Sequence, residues 1–327
     1  MSAVAVGVPA FVMPCHLATD DDVTHLRTAL AGIVAQTDPS WTLVVVDDRS
    51  PLPAAAEVLA SLAGTDPRVH VLHQERNSGP GPCRNVGVRW AARHGAPFVL
   101  FHDADDVSHP MRLEVTRQVL DGRPDVDLVY STFLPVDAAG RAVAPELLTP
   151  SVAEVLESHL DAPAQGEDAW IAIGTRCGYV SQTSTVAVRT ALAVAQPFPD
   201  VRGSEDSHTW YRMAAAGGAF AYVPAIAGLY RVPTAGEGSS DRARLGASGY
   251  YRTLVEMNRD GFDTAFELAL ARGRVHERDR RPLRAALLRR IAVTVGREGH
   301  GDLALTLEAE AIELDDTLVR DVDAVLR

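Results

Sequence analysis

The sequence predicts an α/β protein built on a doubly wound, mostly parallel sheet flanked by helices, with a small helical region at the C-terminal end. Three observations predict it. Short apolar runs alternate with stretches of helical periodicity through the first hundred residues, each run closes on polar or acidic residues, and the chain turns rich in Ala, Leu, Arg and Glu beyond residue 241. Continuous apolar runs mark strands covered on both faces, and helical segments between them supply the crossovers that parallel strands need.

Residues 7–13 and 42–46 read as buried strands, and Leu26, Leu30, Ile33 and Val34 between them recur at helical spacing. The alternation continues with a helix over 54–62, a strand over 69–73, a helix over 82–94 and a strand over 98–102. Asp47, Asp48, Asn77, Asp103 and Asp105 then fall together along the C-terminal edge of the sheet, where such folds collect their ligands. A helix over 113–120 and a strand over 128–133 follow, then an irregular stretch over 135–175 suited to acceptor-facing loops. Residues 183–188 read as a strand and 204–216 as a helix, opened by Glu205-Asp206 and stopped by Gly217-Gly218. Gly236, Gly238, Ser239 and Ser240 read as a flexible connection, dividing the chain into a larger domain over 1–235 and a helical region over 241–327. The helical periodicity of 283–295 suits a helix packed on the larger domain, or a homodimer contact.

With 327 residues, 46% of them hydrophobic, the chain can bury a sizeable core. Its 31 Lys and Arg against 43 Asp and Glu leave a net charge of −12, which excludes nucleic acid and an anionic membrane surface as main partners. Cys15, Cys83 and Cys177 lack the close pairing of metal or dithiol sites and read as buried thiols in a reducing compartment. No apolar run reaches about 18 residues and the N-terminus does not read as a signal peptide, so the expectation is a cytoplasmic protein, at most peripheral to a membrane.

Asp103-Ala104-Asp105-Asp106 directly follows the apolar run Phe98-Val99-Leu100-Phe101. Crowded carboxylates at a strand end are costly unless compensated, and a hard divalent cation bridging to a diphosphate compensates them. A solvated acidic loop or a helix N-terminus, to which Asp106 suits, is the other reading. Asp47-Asp48-Arg49-Ser50 can accept hydrogen bonds from a nucleobase or ribose, or simply open a turn. Arg76-Asn77-Ser78-Gly79-Pro80-Gly81 lets a ligand approach the backbone ahead of a helix N-terminus, with Arg84 able to reach an anion. Glu205-Asp206 is either a macrodipole-favoured helix start or the source of a general base.

The order of these motifs carries more than any one of them. Pro14 on the first strand, Gln36-Thr37 before Trp41, Val45-Val46-Asp47-Asp48-Arg49-Ser50, Asn77-Ser78-Gly79 with Arg84-Asn85-Val86-Gly87, Asp103-Ala104-Asp105-Asp106, and Glu205-Asp206 with Trp210 together resemble the family-2 inverting glycosyltransferases of GT-A fold. The resemblance implies a nucleotide-sugar-dependent hexosyltransferase. Asp47 or Asp48 would contact the base, Asp103 the ribose or the metal shell, and Asp105 a Mn²⁺ or Mg²⁺ ion holding the diphosphate. Pro14, Asn77, Arg84 and Arg231 would complete the donor site, Asp206 would be the catalytic base, and Glu205 would support it. It further implies a UDP-sugar donor as first expectation and an acceptor glycan, lipid-linked sugar, natural product or peptide.

Two departures from the family pattern stand out. Tyr230-Arg231 is followed by Val232-Pro233-Thr234 where members often carry a histidine, so either Arg231 serves the diphosphate instead or the third metal ligand is missing. The Gln-x-x-Arg-Trp signature of processive synthases is absent, which points to single additions. Two other readings remain at this stage: a sugar-nucleotide nucleotidyltransferase, disfavoured because Met13-Pro14-Cys15-His16-Leu17-Ala18-Thr19 is no Gly-rich basic loop, and a degenerate GT-A domain that binds nucleotide without turnover.

Overall fold

The computed structural model describes residues 7–178, 180–232 and 240–315. The N-terminal third alternates as expected: β1 (Ala10–Cys15), α1 (Asp20–Val34), β2 (Thr42–Asp47), α2 (Ala55–Thr65), β3 (Val69–His73), α3 (Pro80–Arg93), β4 (Phe98–Phe101) and α4 (Arg112–Gly122). Helix α1 starts where Thr19 and Asp22 form a reciprocal capping box, and α3 where Gly79, at φ 92°, turns the chain ahead of Pro80.

The middle of the chain departs from the sequence reading. One strand was expected over 128–133, but Ser131 and Thr132 interrupt it and leave β5 (Val126–Tyr130) and β6 (Phe133–Val136) in different sheets. The Ser131 hydroxyl donates to the Ile226 carbonyl, which turns the chain out of the main sheet. Next come α5 (Pro150–Asp161) and α6 (Ala169–Ala172), which runs into a π-helical turn over Ile173–Cys177. The strand expected over 183–188 is a 3₁₀ turn, Thr183–Thr185, ahead of the short β7 (Ala187–Arg189). Then follow α7 (Thr190–Ala195), α8 (Glu205–Ala216), β8 (Ala219–Tyr222) and β9 (Gly228–Arg231), which pairs with β6 in a two-stranded sheet.

The main sheet has seven strands in the order β3-β2-β1-β4-β7-β5-β8, parallel except for β7, which runs antiparallel to both its neighbours. Alternate residues of β1 and β2 feed two cores. Phe11, Met13, Leu43 and Val45 meet α1, α2 and α4 on one face, while Val12, Val44 and Val46 meet α3 on the other. The second core continues through Trp170, Trp210 and Tyr211 into the C-terminal helices α9 (Ser240–Ala271), α10 (Arg280–Arg297) and α11 (Gly301–Leu314). Helix α9 is kinked at Gly246 and lies against α8 so closely that a Cβ on Gly261 would come within 2.7 Å of the His208 Cα. Trp170 and Trp210 are thus core residues, as their apolar settings imply. Gly236, Gly238 and Ser239 of the expected connection, and Tyr179, lie outside the described residues.

Candidate active site

The ends of β2 and β4, the loop before α3 and the start of α8 converge. Asp47 closes β2: its Oδ1 accepts from the Ser50 amide at 3.0 Å and hydroxyl at 2.6 Å, and its Oδ2 lies 3.0 Å from His73 Nδ1. Burial opposes its charge, but these hydrogen bonds outweigh that and hold it below the usual carboxylate range. Asp48 accepts from the Ser78 amide at 2.6 Å and the Gly79 amide at 2.7 Å, fastening the Gly-rich loop to β2. Both acids are buried: Asp47 opens the turn that was one of the two sequence readings, whereas the tie from Asp48 to the Gly-rich loop was not foreseen. Asn77, at the loop's exposed rim, accepts from Arg202 and lies 3.0 Å from His16 Nδ1. Pro14 stands opposite Val46 in the β1–β2 register and is half-buried.

Arg84 joins two halves of the site. From α3 its guanidinium donates to Asp103 Oδ1 at 2.7 Å and to Glu205 Oε1 at 2.9 Å, with its own side chain 4% exposed. Residues 121 apart in sequence are thereby tied at one point. Burial disfavours the guanidinium charge, yet Asp103, Glu205 and Asp206 more than restore it, so its pKa lies above the usual arginine value. Beside Glu205 stands Asp206, half-buried, accepting from the Ser207 amide at 2.8 Å and from Thr183 Oγ1 at 3.3 Å. Ser204, in the left-handed region at φ 57°, delivers the chain into α8.

The acidic loop is held from several sides. Asp103 N donates to Ser184 Oγ at 2.9 Å, and Ser184 in turn donates to Asp106, which also accepts from the Arg231 amide at 2.9 Å. Val107 pairs with Leu229, and buried Arg112 donates to the Phe101 and Val186 carbonyls. Asp106 is therefore an anchor inside the fold, neither a solvated acid nor the N-terminus of a helix. Burial, then the Asp105 and Asp103 charges, push it well above the ordinary carboxylate value. Asp105 reaches solvent, yet its packed surroundings and the Asp103 carboxylate push it up to about 6. Arg231 spends its Nε on the Asp105 carbonyl and its Nη1 on those of Asp137 and Ala138, so it braces the loop from β9. The Tyr230 phenol is raised by burial and by Asp106, Asp105, Asp103 and Asp206, which puts it in the field of the whole cluster. His102 is fully buried and neutral, pushed down to about 3 by burial and Arg112.

Among the described residues no three His, Cys, Asp or Glu side chains converge as a metal cage. Mn²⁺ and Mg²⁺ do not need one: they are commonly held by one or two carboxylates together with substrate phosphates. Asp103 and Asp105 fit that pattern: burial and then the Asp103 charge oppose ionisation of Asp105, and a cation would offset both.

Sequence reasoning missed Thr183, Ser184, Arg112, Tyr230 and Arg202. The signal at hand was the run Ser181-Gln182-Thr183-Ser184-Thr185, too polar for the strand expected there.

A mostly parallel sheet carrying an Asp-x-Asp loop at the end of its fourth strand is the GT-A arrangement. Solved structures share it. S. aureus TarS 1–349 in complex with UDP superposes with a TM-score of 0.55 at 16% identity, covering 94% of this chain and 91% of that one. Mannosyltransferase PcManGT from Pyrobaculum calidifontis, in complex with GDP-Man and Mn²⁺, gives 0.52 at 18% identity, covering 96% and 88%. Residues 11–162, a little under half of the chain, match the family model for glycosyl transferase family 2. Succinoglycan biosynthesis protein ExoW of Rhizobium meliloti is 40% identical over 114 residues, 35% of this chain and 34% of that protein. An uncharacterized glycosyltransferase, MJ1057 of Methanocaldococcus jannaschii, is 28% identical over 116 residues, 36% of this chain and 39% of that protein. The matches thus span well under half of these relatives' lengths.

Proposed function

We propose that the protein moves one sugar from a nucleoside-diphosphate sugar to an acceptor hydroxyl, with inversion at the anomeric carbon and without processive addition. The observation that carries this reading is the double ion pair of Arg84, which brings the Asp-x-Asp loop and the acid pair of α8 into one site. Support for the donor class comes from TarS, solved with UDP and with UDP-GlcNAc, and from PcManGT, solved with GDP-Man. A UDP-sugar is the first expectation. Relatives named for succinoglycan, O-antigen and teichuronic acid biosynthesis favour a glycan or lipid-linked sugar as acceptor. No described helix is long and apolar enough to cross a membrane. We place the reaction in the cytoplasm.

In the proposed reaction Asp206 takes the proton of the acceptor hydroxyl as its oxygen bonds to the anomeric carbon, and the bond from that carbon to the diphosphate breaks. Glu205, fixed by Arg84, keeps α8 in place and leaves the proton to Asp206. Asp103 and Asp105 would hold a divalent ion that offsets charge growing on the departing diphosphate. The Asp47–Asp48 strand end and the Asn77–Gly79 loop would line the nucleoside side. Arg84 keeps the acidic edge from repelling an anionic donor.

The test is a thermal-shift panel of UDP, GDP, TDP and ADP, each with and without Mn²⁺, on wild type and Asp105→Ala. A bound diphosphate at about 100 Kd adds about 2.7 kcal/mol of apparent stability. Stabilisation by one diphosphate that requires Mn²⁺ and vanishes in Asp105→Ala is expected. No shift with any nucleotide at millimolar concentration sinks the donor site and leaves a domain that does not bind nucleotide.

A further inference from the structure

Residues 181–185 place hydroxyl groups in the interior: Ser181, Thr183, Ser184 and Thr185 are all buried. A buried hydroxyl is costly without a partner, so where each one points is informative. Ser181 and Thr185 serve the fold. Ser181 Oγ donates to the Ser131 carbonyl at 2.7 Å and lies 2.6 Å from Thr185 Oγ1, which donates to the Gln182 carbonyl. Thr183 and Ser184 point instead at acids of the active site. Ser184 accepts from the Asp103 amide and donates to Asp106, while Thr183 donates to Asp206.

These two adjacent residues share one 3₁₀ turn, in which successive side chains diverge by about 120°. The turn is itself fixed: the Val186 carbonyl that follows it accepts from the Phe101 amide and from Arg112, both belonging to the β4–α4 framework. A single rigid turn therefore touches the acidic loop with one hydroxyl and the α8 carboxylate with the other. We propose that Thr183 and Ser184 are positioning residues, with Thr183 aiming the Asp206 carboxylate and Ser184 setting the Asp103–Asp105 loop. The turn between them fixes the separation of proton acceptor and diphosphate-holding carboxylates. This inference rests on the transferase reading given above.

Valine is nearly the shape of threonine but cannot donate, whereas serine keeps the donor. The assay is release of nucleoside diphosphate from UDP-glucose, UDP-GlcNAc or GDP-mannose in Mn²⁺ with water as acceptor, alongside melting temperatures of each variant. Thr183→Val is expected to lower kcat about tenfold to a hundredfold with donor KM unchanged, because a misaimed group costs rate and not donor binding. Thr183→Ser should recover most of the rate. Ser184→Ala should raise the Mn²⁺ concentration needed for half-maximal rate. Wild-type kcat in Thr183→Val, or an equal loss in Thr183→Ser accompanied by a lowered melting temperature, overturns the proposal while leaving the transferase reading intact. Absence of turnover by the wild type with every donor removes the transferase reading itself, and this inference with it.

Discussion

Replacing Arg84 by methionine separates the electrostatic argument from simple packing. The Arg84 side chain is 4% exposed and Glu205 is 8% exposed, so methionine keeps much of the volume but takes the cation away from a buried carboxylate; Asp103, at 28%, regains part of its solvation. Removing one partner of a buried pair costs about 3–5 kcal/mol, and in a chain of this size each kcal/mol lowers the melting temperature by about 2–4 °C. Taking the lower slope, Arg84→Met should melt about 6–10 °C below wild type. The informative comparison is with Glu205→Gln and the double variant. If the cost comes from the buried carboxylate that has lost the guanidinium, removing its charge recovers about 1–3 kcal/mol, and the double variant is more stable than Arg84→Met alone. Equilibrium urea unfolding of the four proteins closes the cycle. Additive losses from the two single changes would refute the electrostatic account and leave Arg84 a packing residue.

Three other expectations follow from the geometry. A Cβ on Gly87 would come within 2.4 Å of Val12 Cγ1, so Gly87→Ala must push α3 off β1 and should cost about 1–3 kcal/mol in urea unfolding. Asp48→Ala removes two charge-assisted bonds to the Ser78 and Gly79 amides and should cost about 1.5–3 kcal/mol each at most, while speeding amide exchange at both residues. His159 is buried against the Val180 carbonyl and Thr132 hydroxyl, and burial lowers its pKa. The unfolded imidazole, at about 6.5, binds protons that the folded one refuses, so this stability is present above that pH and lost as pH falls below it. The drop in melting temperature between pH 7.5 and 5.5 should therefore be steeper in wild type than in His159→Gln.

The sheet's N-terminal half was legible because β1, β2 and β4 are buried on both faces and announce themselves as apolar runs, with the half-buried edge strand β3 set between helical stretches. The later strands were not. β7 has three residues, and nothing local tells that Ala187–Arg189 will run antiparallel between β4 and β5; that follows from partners remote in sequence. At Ser131-Thr132 apolar residues continue on both sides, and the break goes with long-range bonds, from Ser131 to Ile226, 95 residues away, and from Ser181, 50 away, to the Ser131 carbonyl. Site residues divide the same way. Which acids gather at the sheet edge could be read from motif order, whereas their partners could not. Asp106 as an anchor, Arg231 as a brace and Glu205 as an ion-pair partner each depend on groups remote in sequence, from 78 residues for Asp106 with Ser184 to 126 for Arg231 with the Asp105 carbonyl.

The strand order also carries an instruction about timing. β3, β2, β1 and β4 are drawn from residues 10–101 and lie side by side, so a growing chain holds everything needed to build that half of the sheet early. β5 emerges next but has no edge to join, because the strand that separates it from β4 has not yet been made. Until residue 189 is available, β5 is a buried-type apolar strand with neither neighbour in place. The first half of the protein can set the loops that follow β2 and β3 on its own schedule, while closure around the acidic loop waits for the short β7.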